Sequence, residues 1–276
     1  MSDQTIDGFS INIVAGLVLL VIVAALKWVH ARLARGNPVY RAYILAAAGL
    51  CWLLLNTAYA YFFPSRSALF ILLSCAAAAW VMRSELRQFW GIGLVGADAQ
   101  IRSGIDFAKA LHLVSNSMDF LGVGAAKLTS EPAFEEAISR CQRPGKPVRF
   151  LLCRPDDEAL AGIAQSADHD PHSYQRKVRT SLNVIAKLKK SRAWNIEVRF
   201  YPEFPIFRLM FIDDSLCLAS HYVLGKGVDT ELPQLHIVRL RGSRDVDSLY
   251  YAFSSYFERL WEQAEAWDFA SYPEDQ

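Results

Sequence analysis

The sequence lacks the residue spacings that metal centres and disulfide frameworks require. Its five cysteines show no CxxC or zinc-ligand spacing, and its six histidines form no HExxH pattern. We therefore expect no metal ion, no other cofactor and no disulfide framework. The cysteines are interpreted as unpaired small hydrophobic side chains in a reducing compartment.

Charge is absent from three long stretches near the start of the chain. Residues 8–26, 42–65 and 67–82 contain no Asp, Glu, Lys or Arg, and the 276-residue chain is 53% hydrophobic. The first two runs are long enough to cross a bilayer core, and the third is short. A cleavable signal peptide is disfavoured because no basic segment precedes the first run.

These runs predict a transmembrane region over residues 1–90. Its helices are expected at about 9–29, 42–63 and 67–82, with two crossings and an interfacial third segment as the alternative. Asn56 and Thr57 interrupt the second run, and polar side chains inside a membrane usually face another helix or a water-filled path. They are therefore candidate pore-lining residues in an oligomer.

The flanking charges predict the orientation of this region. The N-terminus carries only acids, whereas the first connection is basic and free of acid, with Lys27, Arg32, Arg35 and Arg41. Basic connections stay in the cytoplasm. With three crossings, the N-terminus lies outside, and the C-terminal domain is cytoplasmic in a multi-pass protein of the bacterial inner membrane.

The rest of the chain predicts one α/β domain. Residues 91–104, rich in Gly and Ala, are interpreted as a linker, residues 105–270 as the domain and 271–276 as a tail. Strand and helix patterns alternate first, then four strand patterns follow in succession, and a helix closes the chain. This order indicates a sandwich with a mixed sheet.

The stretch 206–213, "IFRLMFID", resembles the His-x-Lys-x-x-x-x-Asp signature of phospholipase D-like proteins. Arg208 stands in the place of Lys, Asp213 in the place of Asp and Ile206 in the place of His. Together with "FLGVGAAKL", "VRFLLCRPDDE" and "YYAFSSYFERLWEQA", it makes residues 105–267 similar to a single phospholipase D-like half domain. The resemblance is greatest to catalytically degenerate versions that serve as sensor-like modules in bacterial regulators.

The resemblance implies a domain without the family's catalysis. Active members combine two half domains and use a His from one as the nucleophile, a role that Ile206 cannot fill. No catalytic residue is therefore expected, and the protein is not expected to be an enzyme. His221 is the alternative, as a relocated nucleophile beside Arg208. Asp213, Asp214 and Ser215 are expected to form a hairpin turn.

The resemblance and the distribution of cations indicate an anion-binding site. A guanidinium can hold phosphate by two hydrogen bonds. The candidate residues for a phosphate or oligonucleotide ligand are Arg208, His221, Arg199, Lys127, Ser220 and Arg154.

A second group of cations lies on a long amphipathic helix predicted over residues 172–192, which contain no acid. This basic helix is expected to contact anionic lipid headgroups or a polyanion, or simply to face solvent. Its candidate residues are Arg176, Lys177, Arg179, Lys187 and Lys190.

The combination of N-terminal membrane helices with a cytoplasmic phospholipase D-like domain is similar to the organisation of membrane effectors of bacterial nucleotide-signalling antiphage systems. It implies a pore or ion channel gated by a nucleotide or oligonucleotide, with a nucleotidyltransferase as a possible partner. Because the active family pairs two half domains, we expect a homo-oligomer, a dimer of half domains assembled into a tetramer or larger. The alternatives are a membrane-anchored phosphodiesterase, nuclease or phospholipase, and a passive membrane scaffold.

Overall fold

The computed structural model describes residues 89–269, apart from 144, 167–168, 202–205, 223–231 and 241, and ten single residues between 52 and 87. The chain divides into two compact units, Met1–Arg87 and Gln88–Gln276. The helices expected in the first unit fall almost wholly outside the described residues. Among the residues that are described, no helix has both the length and the apolar character needed to cross a bilayer.

The second unit contains eight strands and six α-helices in its described part. The strands are β1 Leu94–Asp98, β2 Met118–Leu121, β3 Val148–Leu152, β4 Ile196–Phe200, β5 Phe207–Ile212, β6 Leu216–His221, β7 Gln234–Val238 and β8 Glu265–Ala266. The helices are α1 Phe107–Leu113, α2 Ala126–Thr129, α3 Phe134–Cys141, α4 Glu158–Ser166, α5 Ser173–Arg192 and α6 Leu249–Gln263.

All eight strands form one sheet, in the order β1-β7-β6-β5-β2-β3-β4-β8. Strands β2, β3 and β4 are parallel to one another, and the remaining pairs are antiparallel. The mixed sheet predicted from the sequence is thus confirmed.

Helices cover both faces of this sheet. Successive side chains of a strand point to opposite faces, so each strand contributes side chains to both layers of helices. On one side, Phe107 of α1 contacts Phe120, and Phe134 of α3 contacts Phe150; we name it the α1 face. On the other side, Phe211 of β5 packs edge-on against α6, and we name it the α6 face. This alternation decides which polar side chains can meet.

Helix α6 is attached to its face by a partly buried ion cluster around Arg149. The Arg149 guanidinium donates two hydrogen bonds to Asp119, at 2.7 and 2.8 Å, and two to Glu258, at 2.7 and 2.9 Å. Its carbon lies 4.9 Å from the ring centroid of Phe257 and 5.3 Å from that of Trp261. One side chain therefore joins β2, β3 and α6.

Residues 91–104 are not a linker, contrary to the sequence interpretation. They contain β1, which pairs with β7, and a 3-10 turn at Ile101–Ser103 whose Ile101 is buried. Gly93 explains why a Gly-rich segment fits here: its φ is +85°, and a Cβ would lie 2.5 Å from the carbonyl oxygen of Val238. The domain therefore begins before residue 105.

Candidate functional site

The "IFRLMFID" stretch forms strand β5 and the residue before it. Ile206, in the nucleophile's place, precedes the strand and is 64% exposed. Arg208 is only 6% exposed and points to the α1 face, where its Nε donates to the Ser220 hydroxyl at 3.1 Å. Its guanidinium carbon lies 5.1 Å from the ring centroid of Phe107. The structure thus brings Arg208 and Ser220 together, as the sequence grouping expected.

The turn after β5 confirms the predicted hairpin. Asp213, Asp214 and Ser215 connect the paired residues Ile212 and Leu216, and the Ser215 N–H donates to the carbonyl oxygen of Ile212. Asp213 and Asp214 have left-handed φ values of 54° and 52°. The Asp213 carboxylate accepts hydrogen bonds from the backbone N–H groups of Ser115, Asn116 and Ser117. The motif's aspartate therefore clamps the loop before β2 to the hairpin.

Arg208 belongs to a row of polar side chains that crosses the α1 face. Arg208 of β5 pairs with Ser220 of β6. Ala219 of β6 pairs with Leu235 of β7, so the next residue, Ser220, lies beside Gln234. Gln234 in turn pairs with Asp98 of β1. Arg208, Ser220 and Gln234 are each at most 6% exposed. The apolar side chains around them are also buried, so the three form a polar row within the core.

His236 and Asp98 form an ion-pair geometry on the same face. His236 Nε2 lies 2.7 Å from Asp98 Oδ2, and Ile105 N–H donates to the same carboxylate at 2.8 Å. Burial would raise the pKa of Asp98, but the hydrogen bonds from Ile105 and His236 outweigh it, so the pKa of Asp98 lies below its usual value. The sequence interpretation missed this pair because 138 residues separate its members. Gln234 and His236 at alternate positions of "QLHIV", and Asp98 at the end of "LVGAD", were the available signal.

Room beside Arg208 is small. A crevice lined by Ile105, Asp106, Phe107 and Gln234 opens next to the guanidinium, with a volume of about 10 Å³. That volume holds about one water molecule. A phosphate group could reach this side of Arg208 only if α1 and β5 moved apart.

His221 and Arg199 do not join this site. His221 pairs with Phe207, so it points to the α6 side of the sheet and is exposed. Arg199 donates to the carbonyl oxygen of Trp261 at 2.8 Å and lies 4.6 Å from the centroid of that ring. The imidazole that the sequence interpretation placed beside Arg208 is therefore across the sheet from it.

The remaining ligand candidates lie on other elements. Arg154 follows β3 and is ion-paired with Asp156 and Glu265. Lys127 is exposed on α2, whose N-terminal end meets α5 through the Ala125 N–H and the Ser181 hydroxyl, 3.4 Å apart. Their role in ligand binding stays a prediction.

The carboxyl ends of β2, β3 and β4 meet at a buried thiol and phenol. Cys153 Sγ lies 2.7 Å from the Tyr201 hydroxyl, which donates to the carbonyl oxygen of Gly122. Burial raises the pKa of Cys153 to about 12. Since the thiolate is the nucleophilic form, Cys153 is not a candidate nucleophile at neutral pH.

The basic helix is α5, and its cations have varied surroundings. Arg176 pairs with Asp170, and Lys177 lies 4.8 Å from the Tyr174 ring centroid. Arg179, Lys187 and Lys190 are exposed. The predicted helix is confirmed, whereas its partners stay a prediction.

The pore candidates are scarcely described. Asn56 lies outside the described residues, and Thr57 is helical and exposed. Within the described part of the chain, no three His, Cys, Asp or Glu side chains lie close enough to hold a metal ion.

A groove of about 480 Å³ lies on the opposite face, along α6. Its lining includes Asp119, Arg149 and Glu258, which hydrogen-bond one another as described above. The size is that of a small-molecule site, but its most buried cation already holds two carboxylates. We interpret this groove as the edge of the α6 anchor.

No family model and no curated protein sequence matches the chain. The domain is similar to solved structures, among them Nuc, a phospholipase D family member from Salmonella typhimurium, with a TM-score of 0.35 and 13% identity over 58% of this chain and 88% of Nuc. TrmBL2, an archaeal chromatin protein that binds DNA, has a TM-score of 0.38 and 16% identity over 74% of this chain and 70% of TrmBL2. Phosphatidylserine synthase from Haemophilus influenzae Rd KW20 has a TM-score of 0.39 and 10% identity, over 60% of this chain and 39% of the synthase. These are distant likenesses, and none assigns an activity to this chain.

Proposed function

We propose that the domain is a non-catalytic, phospholipase D-like receptor for a phosphate-bearing ligand, a nucleotide or short oligonucleotide. It controls an N-terminal membrane region, so that the oligomeric protein acts as a pore or ion channel in antiphage defence at the inner membrane. The observation that carries this proposal is the buried Arg208 of β5, which donates a hydrogen bond to Ser220 of β6 and lies two residues after Ile206, the residue in the nucleophile's place.

A buried guanidinium supports anion binding. Charged side chains are rarely buried, because removing them from water is costly unless they meet acceptors. Ser220 supplies a neutral acceptor and Phe107 an aromatic face. The oxygen pair of a phosphate is the bidentate acceptor that suits a guanidinium best.

The absence of an imidazole at this position favours binding over hydrolysis. Ile206 has no nucleophilic atom, and His221 faces the other side of the sheet. A ligand held at Arg208 would therefore stay intact, which is what a sensor requires. A nucleotidyltransferase would be the source of such a ligand.

Ligand entry would also move the start of the domain. The crevice beside Arg208 holds only about one water molecule, so a phosphate must displace Phe107 and with it α1. Helix α1 follows directly on β1 and the turn at Ile101–Ser103, through which the chain enters the domain. Binding at Arg208 and a shift of this entry segment are thereby coupled, and the shift would gate the membrane region.

The ligand test uses the full chain purified in detergent. The protein is denatured, and the supernatant is analysed by mass spectrometry for a copurifying nucleotide or oligonucleotide. Arg208→Gln should lose the ligand, Arg208→Lys should retain part of it, and Arg143→Gln, an exposed control, should retain all. A ligand retained equally by all three variants would contradict the assignment of Arg208.

The channel test is ion flux through liposomes that contain the full chain. We expect Asn56→Leu to reduce the flux and His221→Ala to leave it unchanged. Flux that needs neither Asn56 nor Arg208 would contradict the proposal. Hydrolysis of a phosphodiester that disappears with His221→Ala would instead support the membrane-anchored enzyme.

A further inference from the structure

Helix α5 carries a straight row of cations that the ligand site does not use. The row consists of Arg176, Arg179, Lys187 and Lys190, with Asn183 between them, and all five residues are exposed. At about 100° and 1.5 Å per residue, the five positions fall within about 80° of the helix circumference and span about 21 Å. We name this the α5 row.

The α5 row faces directly away from the core. The buried residues of α5 are Val178, Ser181, Leu182, Ile185 and Leu188. At 100° per residue, the centre of this stripe lies on the side of the helix opposite the row. The row is therefore a convex outer surface, not part of a cleft.

The domain neutralises the helix mainly at its ends. Arg176 pairs with Asp170, and Arg192, beyond the row, pairs with Glu135 at 3.0 Å. Arg179 and Lys187 make no hydrogen bond or ion pair with a side chain in the described part of the chain, and α5 itself contains no acid. The middle of the row keeps its positive charge available.

We infer that the α5 row binds the headgroups of anionic phospholipids. A flat anionic surface can meet Arg179 and Lys187 at once, because both lie on the same side of a straight, convex helix. Single-stranded nucleic acid would favour a groove with exposed aromatic rings for base stacking, and the row presents Arg, Asn and Lys side chains alone. This inference goes beyond the proposed function, because it needs neither Arg208 nor the N-terminal helices.

The contact would be purely electrostatic. No apolar side chain stands in the row to enter the bilayer, so each cation contributes separately, about fivefold in affinity near an anionic membrane surface. Screening shortens the reach of such charges to about 3 Å in molar salt. Lipid binding through the row should therefore be abolished by high salt.

The test reports on α5 itself. The full chain, with Cys51 and Cys75 changed to Ser, carries Asn183→Cys labelled with a polarity-sensitive dye, since the other cysteines are buried. The protein is kept soluble in a non-ionic amphipol and titrated with vesicles of phosphatidylcholine, with or without phosphatidylglycerol. We expect a blue shift only with phosphatidylglycerol, reversed by molar salt.

Matched variants assign the response to the row. Arg179→Gln with Lys187→Gln should weaken the response to anionic vesicles about 25-fold. Arg102→Gln with Arg259→Gln removes the same charge from exposed positions elsewhere and should weaken it far less than the variant of the row does, since charges beyond a Debye length are largely screened. Arg208→Gln should leave it unchanged, which separates this inference from the ligand site.

Two results would overturn the inference. One is an equal response to vesicles with and without phosphatidylglycerol, which would exclude headgroup charge as the cause. The other is a response to oligonucleotides together with none to anionic vesicles, which would assign the row to nucleic acid.

Discussion

Removing Arg149 should destabilise the domain more than removing any exposed cation. Arg149→Met keeps an apolar stem between Phe257 and Trp261 but leaves the Asp119 carboxylate, 16% exposed, without its guanidinium. Breaking a buried ion pair typically costs about 3–5 kcal/mol. Since Glu258 is half exposed and its pairing contributes little, we expect about 3 kcal/mol, or a fall in melting temperature of about 6–12 °C.

The protonation state supports this magnitude. Burial lowers the pKa of Arg149, but the hydrogen bonds to Asp119 and Glu258 raise it more, so the guanidinium stays charged at every accessible pH. The variant therefore removes a full positive charge beside the partly buried Asp119, whose pKa is raised by burial and lowered in part by Arg149.

A double variant separates lost pairing from lost packing. Asp119→Leu with Arg149→Met replaces the pair by apolar side chains and should recover stability to within about 1 kcal/mol of the wild type. Lys146→Met, which breaks the exposed pair with Asp214, should cost less than about 1 kcal/mol. The assay is thermal unfolding of the full chain in detergent, followed by circular dichroism. A double variant as unstable as Arg149→Met would refute the reasoning.

Three further outcomes follow from the described contacts. Asp213→Ala should cost about 1–3 kcal/mol in thermal unfolding, because three backbone N–H groups lose their acceptor, and a cost equal to that of Asp214→Ala would contradict the clamp. Because the pKa of Asp98 is lowered in the folded state, its contribution to stability is present above the unfolded pKa near 4 and is lost as pH falls through the folded value. Asp98→Asn should therefore reduce the fall in the free energy of unfolding below about pH 4. An unchanged pH dependence would show that the Asp98 carboxylate does not contribute to this fall. With its pKa raised to about 12 by burial, Cys153 should resist iodoacetamide at pH 8 until urea unfolds the domain, and mass spectrometry would reveal any early alkylation.

Local patterns in the sequence were sufficient for most of the elements. Short apolar runs predicted β2 and β3, strand patterns in succession predicted β4 to β7, and a 3.6-residue period of apolar residues predicted α5 and α6. The Asp213–Asp214 turn was predictable because these residues tolerate a left-handed backbone. Strand β1 was missed because Gly93 and its neighbours resemble a linker until β7 is placed beside them.

The candidate site was only partly predictable. The motif spacing grouped Arg208 with Ser220 correctly, since both lie on adjacent strands of one hairpin whose register the turn fixes. It did not reveal that His221, one residue further on, points to the opposite face, or that Arg199 is held by Trp261.

The sequence by itself determined that Arg208 and Asp213 stand at the spacing of a known signature with Ile206 in the place of its His, that one helix is basic and that three runs are uncharged, because those are properties of composition and spacing. Only the tertiary structure decided which polar groups share a face. Gln234 of the polar row on the α1 face and its neighbours Asp98 and His236 come from β7 and β1, which are far apart in the chain. A shift of one residue in the pairing of these strands would turn each side chain to the other side of the sheet. Register over such separations is set by the packing of the whole domain.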